Sequence, residues 1–251
     1  MIPYPVMRRF TMQLICAIEF AHAHNVIHTD IQASNIFVQF LDRSLIESGY
    51  LVRVPIPHQD RTEKEYTPRL PLAIGDVASW ADHHLTENIQ PVALRAPEVL
   101  LNAPWDKNAD WWNFGALLLE LYRAIRMFNG RIPRDGHDEL KRHLSEIVEL
   151  FGPFPQALLK RGDRDLVEKI FDEQGRIKDD YQGHGPPLDH KVWTPGLDRG
   201  AREDFVSFLQ LVMKMDPAER PTWLDMLKHV WLDAVQPVPP QEEGDCSNPG
   251  T

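Results

Sequence analysis

Apolar residues recur at spacings of three and four across residues 6–24. Phe10, Leu14, Ala17, Ile18 and Ala21 make one stripe, which predicts an amphipathic helix. A short apolar run at 36–40 and another at 72–74, the latter closed by Gly75 and Asp76, predict strands. Residues 110–122 are apolar almost all round, with Trp111, Trp112, Phe114, Leu117, Leu118, Leu119 and Leu121, so this helix belongs inside a core. Residues 140–151 and 203–215 are amphipathic, and the first of these stops at Gly152 and Pro153. Thr222 and Asp225 have the spacing of a capping box and predict a helix over 223–232.

Two stretches break the pattern. Residues 41–71 hold Pro55, Pro57, Pro68 and Pro71 among mixed charges, and read as a long surface insertion with a strand at 50–54. From Pro237 the chain is rich in Pro, Gln, Glu and Gly, which predicts disorder. Residues 175–195 read as loop. The expectation is a mainly α fold with a few short strands. It forms one domain over 1–234, interrupted at 41–71 and followed by a tail at 235–251.

Composition narrows the partners. The 251 residues carry 27 Lys and Arg against 37 Asp and Glu, a net charge of −10. That balance argues against a nucleic-acid face and suits a basic partner or simple solubility. Cys16 and Cys246 are the two cysteines, one in an apolar helical stretch and one in the polar tail. No disulfide framework is expected, and the cytoplasm or nucleus fits. No apolar run approaches 18 residues and the first residues do not read as a secretory signal, so no membrane partner is expected.

The chemistry concentrates in the octet His28-Thr29-Asp30-Ile31-Gln32-Ala33-Ser34-Asn35, between the first helix and the first strand. It puts a carboxylate and a carboxamide five residues apart, matching H-R-D-x-x-x-x-N at three of its four fixed positions. Further along stand Ala96-Pro97-Glu98, then Asp110 through Gly115, then Asp216-Pro217-Ala218-Glu219-Arg220-Pro221. His22, His24 and His28 do not share a helical face and lack a Cys or carboxylate cluster, so a zinc site is not expected.

These motifs, in this order, resemble the helical larger lobe of a eukaryotic protein kinase over residues 6–234. A narrower resemblance is to the SR-protein kinases. Thr29 stands where most kinases have Arg, residues 80–90 are similar to that family's activation segment, and Arg95 precedes Ala96-Pro97-Glu98 as in the wider group with the MAP and cyclin-dependent kinases. The resemblance implies transfer of the ATP γ-phosphate to Ser or Thr of Arg/Ser-rich proteins. Asp30 would be the base, Asn35 and Asp76 would bind Mg2+ and the nucleotide, and His28 would pack beneath the loop. Asp110 would brace the loop through its backbone N–H groups, and Arg220 would pair with Glu98. Acidic residues over 135–149 would be either a docking face for basic peptides or a solvated helix face. With Thr29 in place of an Arg, a phosphate on the activation segment has less to grip, so phosphorylation there is not expected to be needed.

The pattern also departs from the family. Asp76-Val77-Ala78 stands at D-F-G, two residues short, and Gln32 replaces a Lys near the transferred phosphate. These residues contain neither G-x-G-x-x-G nor a V-A-I-K-like strand, so the expectation is a larger lobe alone. Two readings therefore stand side by side: an active serine/threonine kinase, and a catalytically dead pseudokinase or fragment that binds proteins.

Overall fold

The computed structural model describes residues 4–38, 72–74, 79–84, 86–87, 89–123, 128, 139–178 and 185–233. The whole insertion at 41–71 with its expected strand, Asp76, residues 135–138, Cys246 and the tail lie outside the described residues.

The first element is helix α1, Tyr4–Ala23. Its inward face is Met7, Thr11, Leu14, Ile15, Ile18 and His22. That corrects the expected stripe: Phe10, Ala17 and Ala21 flank the buried line instead of composing it, because two polar residues, Thr11 and His22, belong to it. Thr11 is accommodated by donating its hydroxyl to the Met7 carbonyl at 2.8 Å. Cys16 is exposed.

Two small antiparallel pairs follow. Strand β1, Val26–Ile27, pairs with β4, Ser79–Trp80; strand β2, Ile36–Val38, pairs with β3, Leu72–Ile74, with Ile36 opposite Ile74. The octet therefore runs from the end of one strand to the start of another, held at both ends.

Short helix α2, Pro97–Leu100, leads into α3, Asn108–Arg123. The all-round apolar pattern of α3 is explained by burial on every side, from Ala109 to Leu119. Its Gly115 admits a close neighbour: a Cβ there would sit 2.3 Å from the Met213 side chain. Among the described residues the remaining α-helices are α4, Glu139–Phe151; α5, Gln156–Leu159; α6, Arg164–Ile170; α7, Arg199–Val212; α8, Trp223–Leu227; and α9, Val230–Asp233. Helix α4 ends at Gly152, whose φ of 89° is the left-handed turn that stops a helix.

Two boundaries differ from the pattern reading. Helix α7 begins four residues early because Asp198 caps it, accepting the Ala201 N–H at 2.9 Å. The Thr222–Asp225 capping box is present, but the helix it starts ends at Leu227. His229 then turns the chain, its Nδ1 receiving the Trp231 N–H at 3.2 Å, and Trp231 drops into the core between Phe205 and Phe208. The Trp231 indole donates to the Tyr4 hydroxyl at 2.7 Å, and that hydroxyl donates to the Ala201 carbonyl, so α9 ties the start of α1 to α7.

Helix α4 buries His143 against Phe128. Burial, with the Arg95 cation as a lesser cause, pushes its imidazole down to about 4. The folded value lies below the unfolded one of about 6.5, so the unfolded chain takes up the proton first. The stabilisation from a neutral ring is complete above about pH 6.5 and is lost as pH falls toward 4, on the order of 3 kcal/mol in all. His143→Leu is expected to flatten the stability profile in that window in urea titrations. Identical slopes for wild type and variant would show that the ring is not the titrating group.

Candidate active site

Helix α1 ends in a left-handed residue, Asn25 at φ 63°, which reverses the chain into β1. Beyond β1 the loop depends on one carboxylate. Asp110, in the first turn of α3, accepts the His28 and Thr29 backbone N–H groups and lies within bonding distance of His22 Nε2, all at 2.8 Å. A carboxylate at a helix N-terminus also meets the positive end of the helix dipole. All three partners and Asp110 are buried. Thr29 is held at φ 64°, a left-handed conformation that costs a β-branched residue about 1–3 kcal/mol. The bond to its N–H is what keeps it there.

The forced turn at Thr29 presents Asp30, half-buried, to Gln32 and Asn35. Gln32 Nε2 donates to both Asp30 oxygens at 2.9 Å. Asn35 Nδ2 donates to Asp30 Oδ2 at 2.7 Å and to the Asp30 carbonyl at 3.0 Å. A short 3-10 turn, Ala33–Asn35, brings the carboxamide back over five residues. An ionised carboxylate has about four lone-pair sites. Among the described residues three side-chain contacts reach the carboxylate, which leaves room for one further donor, such as a hydroxyl. His28 lies beneath, its Nδ1 facing the Asp30 N–H at 3.3 Å.

The same helix end holds a second segment. Gln90, at φ 69°, donates to the Ala109 carbonyl and accepts the Ala96 N–H. Asn113 donates to the Leu94 carbonyl at 2.6 Å. Neighbouring positions of α3, Ala109, Asp110 and Asn113, thus set the loop of Asp30 and the segment 90–96 side by side. Arg95 Nε lies 3.2 Å from both the Ile89 and Gln90 carbonyls.

Glu98 and Arg220 form a two-bond pair at 2.6 and 2.7 Å with both side chains fully buried. Arg220 also donates to the carbonyls of Asn108 and Lys214. Arg161 pairs with Asp216, whose side chain caps the turn before Arg220.

The structure therefore brings Asp30, Asn35, His28 and Asp110 together, and Glu98 with Arg220 apart from them. Asp76 lies outside the described residues; β3 before it sets Ile74 opposite Ile36, the neighbour of Asn35. His22 is not a partner of His24 or His28 in a metal cluster. It faces Asp110, and among the described residues no three His, Cys, Asp or Glu side chains could hold a metal. In the acidic stretch, Glu146 pairs with Arg142 at 3.6 Å. Sequence reading weighed His22 only as a metal ligand and gave no role to Gln90, Asn113 or Phe37. Polar residues inside otherwise buried stripes were the available signal for His22 and Asn113. Phe37, two residues past Asn35, is 57% exposed.

A protein kinase domain model matches residues 75–232. The serine/threonine-protein kinase SRPK of Physarum polycephalum is 25% identical over 94% of this chain and 62% of its own length. SKY1 of Saccharomyces cerevisiae is 30% identical over 62% of this chain and 21% of its own. The human dual specificity protein kinase CLK1 is 24% identical over 91% of this chain and 45% of its own. The solved kinase domain of PF14_0431 superposes with a TM-score of 0.61 at 19% identity, over 92% of this chain and 66% of that one. The chain belongs to the protein kinase domain family, with SR-protein kinases and serine/threonine kinases among its relatives, and its mainly helical fold is the one expected. It spans about 60% of the length of the first curated relatives it matches. Among the described residues no helix is long and apolar enough to cross a membrane.

Proposed function

We propose that this chain carries the phosphotransfer loop of a serine/threonine kinase that acts on Arg/Ser-rich proteins, within a domain over 1–234 that 41–71 interrupts. The observation that carries the reading is the Asp30–Asn35 pair, fastened by Asp110 through Thr29. Protein kinases use ATP with Mg2+, and the residues present fit that group. Asn35 commits its amide nitrogen to Asp30, its carbonyl oxygen takes no hydrogen bond among the described residues, and magnesium takes oxygen donors. Asp76 is the second oxygen donor that the resemblance implies. When bound, Mg–ATP supplies the phosphoryl group and part of the charge neutralisation. Asp30 orients the acceptor hydroxyl and takes its proton with its remaining lone-pair site. Phe37, exposed on β2, offers an aromatic face to a nucleobase.

Asp30→Asn is expected to lower transfer to an Arg-Ser repeat peptide by roughly 10²–10⁴-fold, with Mg–ATP binding retained. Equal transfer by the variant would remove Asp30 from the mechanism.

One observation favours a second reading, a kinase-like module that docks partners without transfer. The neutral Gln32 amide spans both Asp30 oxygens, and it supplies no charge to a developing phosphoryl anion. Peptide binding by wild type with no transfer, together with transfer gained in Gln32→Lys, is the outcome that reading expects.

A further inference from the structure

We infer that Trp105 is the positioning residue for the segment 79–95, which its bonds to α3 set beside the loop of Asp30. In the loop between α2 and α3, Trp105 is buried and receives the segment from two directions. The His84 ring stacks on the indole with centroids 3.7 Å apart and planes within 8°. Glu87 Oε2 accepts the indole N–H at 3.0 Å. Glu87 Oε1 lies 3.6 Å from His84 Nδ1, so the three side chains close a triangle.

The loop that carries Trp105 is itself rigidly held. Leu101 accepts the Asp163 N–H, and Ala103 donates its N–H to the Glu98 carbonyl at 2.9 Å. Arg220 binds the Glu98 carboxylate at one end of the loop and the Asn108 carbonyl at the other. One buried guanidinium therefore fixes both ends of the loop, and Trp105 passes that fixity to His84 and Glu87. Farther along, Gln90 and Leu94 are fastened to α3. The segment is thus anchored at two points, and neither needs a phosphate. Position 29, beside the catalytic loop's carboxylate, holds a buried, uncharged Thr. Trp105 takes over the task of fixing the segment against which an extended protein substrate would lie.

The stack and hydrogen bond are worth about a factor of ten in the population of the ordered segment. In the full chain, Trp105→Ala is expected to speed amide hydrogen exchange at 81–95 by roughly that factor, with α3 protection over 110–119 unchanged. Trp105→Phe keeps a ring for His84 and should fall between the two. His84→Ala, at a half-buried position outside the core, should reproduce the local loosening without touching α3. In steady-state assays Trp105→Ala should raise KM for the Arg-Ser peptide about tenfold and leave KM for ATP unmoved.

The kinetic half rests on the transfer reading above; the exchange half does not. An inactive wild type whose 81–95 exchange still answers to Trp105 and His84 supports the clamp and ends the transfer reading. An active wild type whose 81–95 exchange ignores both substitutions overturns the clamp alone. Acceleration spread evenly through α3 in Trp105→Ala, with no local response in His84→Ala, would make Trp105 a core residue and overturn it too.

Discussion

Replacing Asp110 by Ala is expected to cost at least about 3 kcal/mol of folding stability and to abolish any phosphotransfer. The substitution leaves three buried donors without their acceptor: the His28 and Thr29 N–H groups and the His22 ring. Each stranded buried donor costs about 1–3 kcal/mol, and the loss of a shared acceptor does not relax cheaply. A second cost falls on the loop. Thr29 stays left-handed only because its N–H is bound, and without Asp110 it relaxes toward φ below zero. That turns the peptide that leads to Asp30, and the pairing with Asn35 goes with it. Asp110→Asn keeps one oxygen and should lie between wild type and Ala. Urea unfolding with the loop-sensitive transfer assay checks both parts. A loss below about 1 kcal/mol would show that the loop is braced from elsewhere.

The second large effect is expected at Arg220. Arg220→Met removes the cation and leaves the Glu98 carboxylate fully buried and unpaired, at a cost of about 3–5 kcal/mol. The carbonyls of Asn108 and Lys214 lose a donor in the same step. The combined change Glu98→Leu with Arg220→Met should be milder than the sum of the two single changes, because no charge is then stranded. Additive losses in a double-mutant cycle would mean that the two side chains do not stabilise one another. Because Arg220 holds both ends of the Trp105 loop, the single variant should also loosen residues 81–95 before the core unfolds.

Much of this architecture could be read from the chain. The buried helix announced itself through Trp111, Trp112 and Phe114, since no solvent-facing helix spends aromatic residues on every side. The octet announced itself through the spacing of Asp30 and Asn35, which a short turn and strand can bring together with little freedom. The Glu98–Arg220 pair was legible through resemblance, although 122 residues separate the two side chains. Other features were not legible. The exact face of α1 depends on Thr11 and His22, and a polar residue is buried only where a distant partner receives it. The break after Leu227 depends on where Trp231 finds space between Phe205 and Phe208. The grip of His84 and Glu87 on Trp105 joins positions with no shared periodicity.

Local order along the chain was therefore written in residue spacing: helix, turn, strand, and the carboxylate–carboxamide pair that five residues can close. Only tertiary structure decided which buried polar groups meet. Hydrophobic periodicity is a property of a single element, whereas the partners of His22, Asp110, Trp105 and Arg220 arrive from elements far along the chain, and their bonds exist only once the core has closed around them.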